Sequence, residues 1–581
     1  MRKLRTGIAA LLVVGAVAVP MASAGAGGAG GSATEGTATA SGTGTQELAV
    51  RYADGVDAAA ARAAISEAGG TILREVSAIG LAQVVTDNAD FARQVEASGT
   101  VQAVARNHAV GESRRGMAHR FAEERALEDR ASFAPAGGGA NNAGGVGVAP
   151  NKPGPETFSD RQWDMEMIDA PAAHATTKGA GVLVGIIDTG IDASHPDLAA
   201  NFDEALSENF TTDIPAIDGP CEYPSCHDPA DVDHGGHGTH VAGTVAADDD
   251  GFGIMGVAPD ATLVNLRAGQ DSGYFFFVET VAALTAAADK GIDVVNMSFY
   301  TDPWLYNCAS EADYVSGSWT PEQIAEQAMI RDGILDAVAY ARSHGVTLVA
   351  AAGNEASDLQ AATRSDATSP DYPGGTEIER VVSNDCLDLP AEAPGVIEVS
   401  ALGPSGNKAD YSNYGAGGTI DVSAPGGWYR DYIGTRFFRQ PENMILSSYP
   451  AGVVAEEGAL NRGGGLKDPH FYKRDCTQGK PCAYYQYLQG TSMASPHATG
   501  VVALIIAAYR DAHGGTSPTP DQVAQILAAT ATDTPCPDPA DLVYTDEGRP
   551  ASWTAHCTGD ASYNGVYGDG IIDAAAAVAG V

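Results

Sequence analysis

The sequence predicts a doubly wound α/β fold with a mostly parallel sheet, preceded by a small α+β domain. From Phe158 onward, continuous apolar runs of strand length alternate with helical patterns. This alternation is typical of a parallel sheet that has helices on both faces. Residues 46–110 form a separate, shorter alternation of strands and helices between two Gly-rich tracts. At 581 residues, the chain is long enough for more than one domain.

The first 24 residues match a secretory signal peptide. Arg2, Lys3 and Arg5 give a positive start, residues 8–19 an apolar core, and Ala22-Ser23-Ala24 a small-residue cleavage pattern. The core is shorter than the ~20 apolar residues of a membrane span. We therefore expect a secreted, extracellular protein without a membrane anchor.

The chain is strongly acidic, with 33 Lys and Arg against 74 Asp and Glu and a net charge of −41. This balance disfavours non-specific binding to nucleic acid or anionic membranes, so we expect no nucleic-acid partner. The eight cysteines of an exported chain are expected to pair as disulfides. The pairs nearest in sequence are Cys221–Cys226, Cys476–Cys482 and Cys536–Cys557, which leaves Cys308–Cys386.

The N-terminal third of the chain has the organisation of a presegment and a prosegment. Residues 25–45 are a Gly/Ala/Ser/Thr-rich flexible linker. Residues 46–110 follow with strands expected at 48–52, 71–77, 81–86 and 101–104 and helices at 58–68 and 89–98. A second linker, 111–155, carries Arg114, Arg115, Arg120 and Arg125, and exposed tracts of this kind are where proteolysis concentrates. This order predicts a prosegment with a processing site in the second linker; a permanent accessory domain is the alternative.

Residues 156–581 are expected to form the large α/β domain, with loop insertions. Its predicted strands are 182–187, 292–297, 346–351, 396–401 and 419–423, and its predicted helices are 238–247, 278–290 and 321–344. In such folds, functional sites lie beyond the carboxyl ends of the strands.

Three polar side chains lie at ends of these elements. Asp188 follows the first strand, His237 precedes a helix of small residues, and Ser492 enters the first turn of a long apolar helix. A histidine can take the serine proton and later return it, while a buried aspartate orients the imidazole. These residue types therefore predict nucleophilic acyl transfer.

Two other interpretations of these residues were weighed. Asp188 alone could cap the turn through Thr189-Gly190. His234, His237 and His240, spaced by three, could bind zinc, but the Glu of the H-E-x-x-H motif is absent and the flanking glycines favour close backbone approach.

The sequence resembles the subtilisin-like serine proteases, or subtilases. The resemblance rests on Asp188-Thr189-Gly190, the motif 237–243 (HGTHVAG) and the motif 490–497 (GTSMASPH), and it covers roughly Phe158 to the C-terminus. It implies a catalytic triad of Asp188, His237 and Ser492, with Asn354 as the side-chain donor to the oxyanion. Residues 46–110 are similar, more weakly, to the family's inhibitory propeptide.

The resemblance also implies substrate-binding residues. Peptide would pair with the segment at Ser298, Phe299 and Tyr300, while Gly353 and Glu355 would lie at the primary specificity pocket. Subtilisin has glycines where this chain has Tyr300-Thr301, so the mouth of that pocket is expected to be reshaped, unless Tyr300 points away beneath the insertion that follows.

A structural calcium ion (Ca2+) is a further implication of the resemblance. Oxygen ligands from carboxylates and loop carbonyls suit this hard cation. The matching positions are the side chains of Asp197 and Asp250 and the carbonyls of Asp248, Phe252 and Ile254. A solvated acidic turn is the alternative for this loop.

We therefore expect a monomeric, secreted serine endopeptidase that acts on proteins and peptides and is inhibited by its own propeptide until that segment is removed. The rivals are a non-catalytic binding protein on the same scaffold, an acyltransferase or esterase with the same triad, and a narrow processing protease with one secreted partner.

Overall fold

The computed structural model describes residues 45–107, 154, 156–317, 319–367, 379–477 and 479–581. The expected signal peptide, the first linker up to residue 44 and nearly all of the second linker lie outside these residues.

The segment from residue 46 to residue 106 forms a small four-stranded antiparallel sheet with two helices. Its elements are β1 (Gln46–Tyr52), α1 (Ala58–Glu67), β2 (Gly70–Val76), β3 (Leu81–Thr86), α2 (Phe91–Glu96) and β4 (Val101–Arg106). The strand order is β2-β3-β1-β4. Each predicted strand and helix is present, because apolar alternation and the Asp57 N-cap mark them locally. One sheet face packs on its own helices through residues such as Val50, Ile65 and Val84.

The large domain follows with strands and helices in alternation. Its strands are β5 (Leu183–Ile187), β6 (Glu208–Asn209), β7 (Thr262–Arg267), β8 (Val294–Met297), β9 (Tyr306–Asn307), β10 (Tyr314–Gly317), β11 (Thr347–Ala351), β12 (Thr363–Ala367), β13 (Glu379–Ser383), β14 (Leu387–Asp388), β15 (Ile397–Leu402), β16 (Val422–Pro425), β17 (Ile445–Tyr449), β18 (Tyr472–Asp475), β19 (Ala483–Leu488), β20 (Asp541–Leu542) and β21 (Ala555–His556). Its helices are α3 (Trp163–Met167), α4 (Ala170–Ala173), α5 (His237–Ala246), α6 (Phe277–Asp289), α7 (Pro321–Ser343), α8 (Ala451–Glu456), α9 (Thr491–Ala512), α10 (Pro520–Thr530) and α11 (Ala574–Ala579).

Seven of these strands form one sheet in the order β16-β15-β11-β8-β5-β7-β6, and every pairing in it is parallel. Side chains of β5 alternate between two cores. Val184 and Ile186 pack with α5 and α9 on one face. Ile187 packs with α6 and α7 on the other face. The predicted doubly wound fold is therefore confirmed.

Two parts of the sheet differ from the sequence-based expectation. Strand β7 was missed, because Asn265 and Arg267 interrupt its apolar pattern although both are fully buried. The strand predicted at 419–423 begins three residues later, at Val422, and runs to Pro425.

Insertions add smaller sheets around the central one. Strands β10, β13 and β12 form one antiparallel sheet, and β17, β19 and β18 form another. The four predicted disulfides are all present and confirm the proposed pairing. Among the described helices, α9 alone is long and apolar enough to cross a membrane, and its residues 491–508 are buried in the core.

Candidate active site

Asp188 lies directly beyond β5 and is fully buried. One carboxylate oxygen, Oδ1, accepts the Thr189 N–H at 2.8 Å and lies 2.8 Å from Nδ1 of His237. Burial raises the pKa of Asp188, and the contact with His237 opposes that effect. The carboxylate and the imidazole predicted to work together are therefore in direct contact.

Small residues allow this contact. His237 is the first residue of α5, and a Cβ atom on the next residue, Gly238, would lie 2.2 Å from the carbonyl oxygen of Gly190. The Gly238 N–H instead donates to Thr189 Oγ1 at 3.0 Å. Glycine is required here because the helix begins against the backbone that follows β5.

Asp233, which the sequence analysis missed, organises the turn before His237. Its Oδ1 accepts the N–H groups of Gly235 and Gly236 and the hydroxyl of Thr189. Its Oδ2 accepts the N–H and the hydroxyl of Thr239. One carboxylate thus ties the end of β5 to the start of α5. Its position four residues before His237, ahead of a glycine pair, was the available signal, since Asp favours such turns.

Ser492 is the second residue of α9 and is 4% exposed. Helices α5 and α9 pack against each other, which brings His237 and Ser492 to the same edge of the sheet. The Ser492 Oγ lies 3.4 Å from the carbonyl oxygen of Ser298, and the Ser298 hydroxyl donates to the Ser492 carbonyl at 2.9 Å. The predicted nucleophile therefore lies beside the predicted substrate-binding segment.

Asn354 follows β11 and is oriented by the residue before Ser492. Its amide oxygen accepts both the N–H and the hydroxyl of Thr491, each at 2.9 Å. The amide nitrogen is therefore the end directed away from Thr491. The neighbouring Gly353 has a φ of +95°, and a Cβ there would lie 2.3 Å from Asn413 Nδ2. This glycine turn fixes the direction in which Asn354 leaves the strand.

The other predicted substrate-binding residues surround this edge. Phe299 is buried and stacks on Phe275, with ring centroids 4.0 Å apart. Tyr300 and Glu355 line a cavity of about 680 Å³ whose far wall comes from β10, β12 and β13. Tyr300 thus lines a cavity to which the insertion that follows it also contributes, through Leu305, Ser316 and Gly317.

The predicted calcium ligands come together around Asp197. The backbone carbonyl of Asp197 accepts the Asp248 N–H at 2.8 Å, and its Oδ2 accepts the Ile254 N–H at 3.1 Å. Asp250 Oδ1 accepts the Phe252 N–H at 3.1 Å, while its Oδ2 contacts the Lys480 ammonium. The loop thus wraps the Asp197 carboxylate.

The residues of this loop fit a calcium ion. Asp197 is 1% exposed, and its Oδ1 has no hydrogen-bond partner among the described residues, although a buried carboxylate oxygen needs one. Burial also raises the pKa of Asp197 well above its ordinary value. Glu156, which the sequence analysis did not assign, accepts the Gly251 N–H at 2.9 Å and brings a further carboxylate to the loop.

The three regularly spaced histidines do not form a zinc site. The ring Nε2 of His240 lies within hydrogen-bond distance of the carbonyls of Ile445 and Gln486, while His237 contacts Asp188. His234 belongs instead to an acidic group, with Nδ1 3.2 Å from Asp228. Within the described chain, this is the one group of three or more His, Cys, Asp or Glu side chains whose possible ligand atoms all lie within 4.8 Å of each other; its members are Glu222, Asp228, His234 and Asp271.

A buried arginine occupies this acidic group. Arg267, on β7, is fully buried and donates to Asp228 at 2.7 Å and to Asp271 at 2.8 Å. Burial alone would raise the pKa of Asp228, but His234 and Arg267 together lower it below its ordinary value. Arg267 and His234 therefore offset part of the charge of these carboxylates, while burial still raises the pKa of Asp271 to about 7.

Comparison with known proteins identifies the family. The model of the subtilase family matches residues 179–552, which is more than half of the chain. The chain belongs to the subtilase family. This confirms the resemblance carried by the three motifs, and the members of this family are serine endopeptidases.

Curated relatives cover the same region. Subtilisin DY of Bacillus licheniformis is 30% identical over 61% of this chain and 85% of its own length. Thermitase of Thermoactinomyces vulgaris is 27% identical over 62% of this chain and 87% of its own length. Fervidolysin of Fervidobacterium pennivorans is 29% identical over 65% of this chain. The matched region covers only 41% of the length of fervidolysin.

Solved structures show the same fold. The epidermin leader peptide processing serine protease of Staphylococcus aureus has a TM-score of 0.59 at 21% identity and covers 92% of this chain and 98% of its own. The fervidolysin crystal structure has a TM-score of 0.50 at 21% identity and covers 93% of this chain and 61% of its own.

Proposed function

We propose that this subtilase is a secreted serine endopeptidase in which Asp188, His237 and Ser492 form the catalytic triad. The observation that carries the proposal is the buried contact of 2.8 Å between Asp188 Oδ1 and His237 Nδ1 at the sheet edge where Ser492 begins α9. An aspartate on Nδ1 holds the imidazole with Nε2 available as the base. The four disulfides agree with an extracellular location.

In the proposed reaction, Ser492 Oγ attacks the carbonyl carbon of the scissile peptide bond while His237 takes the hydroxyl proton. The developing oxyanion accepts hydrogen bonds from the Asn354 amide and the Ser492 N–H. His237 then gives the proton to the leaving amine, and water activated by the same imidazole hydrolyses the acyl-enzyme. Asp188 stabilises the imidazolium at both stages.

Substitution of Ser492 tests the catalytic assignment. We expect Ser492→Ala to lower kcat for a peptide substrate by about 10⁶-fold. Ser495→Ala is the matched control, because Ser495 is another buried hydroxyl of α9, 2.8 Å from Ser298 Oγ, and we give it no proton-transfer role. A purified Ser492→Ala enzyme with a tenth of wild-type activity would contradict the triad. Peptide and simple ester substrates compared side by side separate an endopeptidase from an esterase.

We also propose that residues 46–110 are an inhibitory propeptide. One face of the small sheet packs on α6 and α7, through residues such as Ala49 and Leu81. Asn107 caps α6 by accepting the Val278 N–H at 3.1 Å, and it donates to Glu279 at 3.0 Å. Arg106 pairs with Glu326 of α7 at 2.6 Å. The chain continues from this docked unit into the arginine-bearing linker.

Intact mass and N-terminal sequence of the secreted protein test the propeptide proposal. If wild type loses residues 46–110 and Ser492→Ala retains them, the chain removes its own propeptide. Retention of this unit by an active wild-type enzyme would instead support a permanent accessory domain.

A calcium ion at Asp197, Asp250 and the carbonyls of Asp248, Phe252 and Ile254 is part of the proposal. Bound there, calcium would supply a divalent charge that holds the loop after α5 in place. Glu156, whose carboxylate accepts the Gly251 N–H of this loop, would contribute a further carboxylate ligand.

A further inference from the structure

The cavity beside the candidate active site differs in charge from an apolar specificity pocket. It has a volume of about 680 Å³, and its lining includes three carboxylates, those of Glu355, Asp366 and Glu379, but only one basic side chain, Arg380. Of these, Asp366, Glu379 and Arg380 lie on the inserted strands β12 and β13.

Arg380 does not neutralise the cavity. Its Nε and Nη2 donate to Asp366 Oδ2 at 2.9 and 2.6 Å, and its Nη1 donates to Gln327 Oε1 at 2.5 Å. The guanidinium also lies over the Trp304 ring, 3.9 Å from its centroid. Arg380 and Asp366 thus form a buried pair whose charges cancel.

The other two carboxylates of the lining, those of Glu355 and Glu379, are exposed. No cation among the described residues pairs with Glu379. Glu355 accepts a hydrogen bond from the Asn413 amide at 2.9 Å. Leu305 and Val381 add apolar surface to the lining. An aliphatic stem that ends in a cation suits such a lining.

Tyr300 and Glu355 connect the cavity to the proposed peptide-binding residues. Tyr300 ends the proposed peptide-pairing segment, and Glu355 directly follows Asn354, the proposed oxyanion donor. In the proposed reaction, a peptide with its backbone along Ser298–Tyr300 and its carbonyl at Asn354 would therefore bring the residue on the amino side of the scissile bond, P1, to Tyr300 and Glu355.

We propose that this protease selects Arg or Lys at P1 and that Glu379, supplied by the inserted sheet, is a specificity-determining residue together with Glu355. The proposal rests on the proposed endopeptidase function. The second linker offers matching substrates within the chain, since it contains Arg114, Arg115, Arg120, Arg125 and Arg130.

Peptide p-nitroanilides that are identical except for Arg, Lys, Phe or Leu at P1 test the selection. An Arg or Lys at P1 would form one exposed ion pair with Glu355 and one with Glu379, and each pair should raise kcat/KM about two- to fivefold. Together they predict a kcat/KM about tenfold higher for Arg and Lys than for Phe. Salt should reduce this ratio, because it screens exposed charges. Equal or better cleavage after Phe overturns the selection and leaves the endopeptidase function intact, whereas no cleavage of any peptide overturns both.

Three variants test which side chains cause the preference for Arg or Lys at P1. We expect Glu379→Gln to lower the Arg-to-Phe ratio about two- to fivefold, and Glu355→Gln combined with it to abolish the preference. Glu204→Gln, which changes an exposed carboxylate outside the cavity, is the matched control and should leave the ratio unchanged. An unchanged ratio in Glu379→Gln overturns its role. A mature N-terminus that follows one of the linker arginines supports the selection, and one that follows an apolar residue counts against it.

Discussion

Helix α5 has a carboxylate cluster at each end, and the two clusters are balanced by different cations. At its N-terminal end, the fully buried guanidinium of Arg267 is surrounded by Asp213, Asp228 and Asp271. The distance from Arg267 Nη2 to Asp213 Oδ1 is 3.6 Å. At its C-terminal end, Asp197 lies beside the loop Asp248-Asp249-Asp250. The cations there are Lys178 and Lys480, whose side chains are 33% and 29% exposed and which contact Asp249 and Asp250.

The pKa shifts differ within each cluster. In the first, His234 and Arg267 outweigh burial and lower the pKa of Asp228, whereas burial raises the pKa of Asp271 to about 7 and that of Asp213 to about 6. In the second, burial raises the pKa of Asp197 well above its ordinary value and that of Glu156 to about 8, whereas Lys178 lowers the pKa of Asp249. The first cluster thus has a buried cation of its own, while the second has a buried carboxylate, Asp197, whose charged form a bound metal ion would stabilise.

Replacement of Arg267 should produce the largest loss in the free energy of unfolding. Arg267→Met leaves several buried carboxylates without their cation, and breaking a buried pair costs about 3–5 kcal/mol. Urea unfolding in the Ser492→Ala background, where self-digestion cannot interfere, measures this loss. Arg331→Met is the control, because the Arg331–Asp332 pair is partly exposed, with an Nη1–Oδ1 distance of 3.2 Å. Its loss should cost at most about 1 kcal/mol. A cost for Arg267→Met as small as that of the control would mean that another cation balances the first cluster.

The sequence predicted the parts of the site that lie at the ends of regular elements. Asp188 and His237 could be assigned because apolar runs and small-residue helices mark their positions locally, and Ser492 because its motif opens a long apolar helix. The disulfides could be assigned because three pairs are close in sequence, which leaves the fourth.

The remaining features depend on contacts between distant segments. Strand β7 was missed because an arginine in a sequence suggests an exposed position. Arg267 is buried only because the fold brings Asp228 and Asp271 into contact with it. Asp233 was missed because its partners, Thr189 and Thr239, lie on two different elements. The strands of the cavity wall, residues 314–317, 363–367 and 379–383, were missed because they come from two separate insertions and no local pattern gives the register in which they pair.

Calcium should stabilise the protein through the second cluster. A ligand that binds only the folded state adds about 4 kcal/mol when its free concentration exceeds Kd about a thousandfold. We therefore expect a chelator to lower the Tm of the protein, and Asp197→Asn to remove most of the response to calcium. Asp332→Asn, which changes an exposed aspartate, should respond as wild type does. A calcium response that survives in Asp197→Asn would place the ion elsewhere and weaken the contrast between the two clusters.

Lys480 should compete with calcium at the second cluster. Its ammonium contacts Oδ2 of Asp250, one of the proposed ligands. Because the pair is partly exposed, its removal in Lys480→Met should raise calcium affinity only about two- to fivefold. Isothermal titration of the calcium-free protein measures the change. Lys178→Met is the comparison, since Lys178 contacts Asp249, which is not a proposed ligand. Weaker calcium binding in Lys480→Met would mean that Lys480 holds the loop in its binding conformation.

His234 should make the smallest contribution to the stability of the folded protein, and this contribution should depend on pH. The contact of its Nδ1 with Asp228, at 3.2 Å, raises the pKa of His234 to about 9, above its ordinary value of 6.5. A raised pKa means that the folded protein binds the proton more tightly than the unfolded chain does. The resulting stabilisation is fully present below pH 6.5 and is lost as the pH rises through 9. Because the side chain is 25% exposed, solvent screening keeps the contribution below about 1 kcal/mol.

The free energy of unfolding of His234→Gln, measured against the parent from pH 6 to pH 10 in the Ser492→Ala background, tests this contribution. The difference should be largest at pH 6 and should vanish above pH 9. His344→Gln, which changes an exposed histidine at the end of α7, should show no such trend. A difference that grows with pH would mean that His234 stabilises the first cluster as a neutral ring, which would leave Arg267 as its only internal cation.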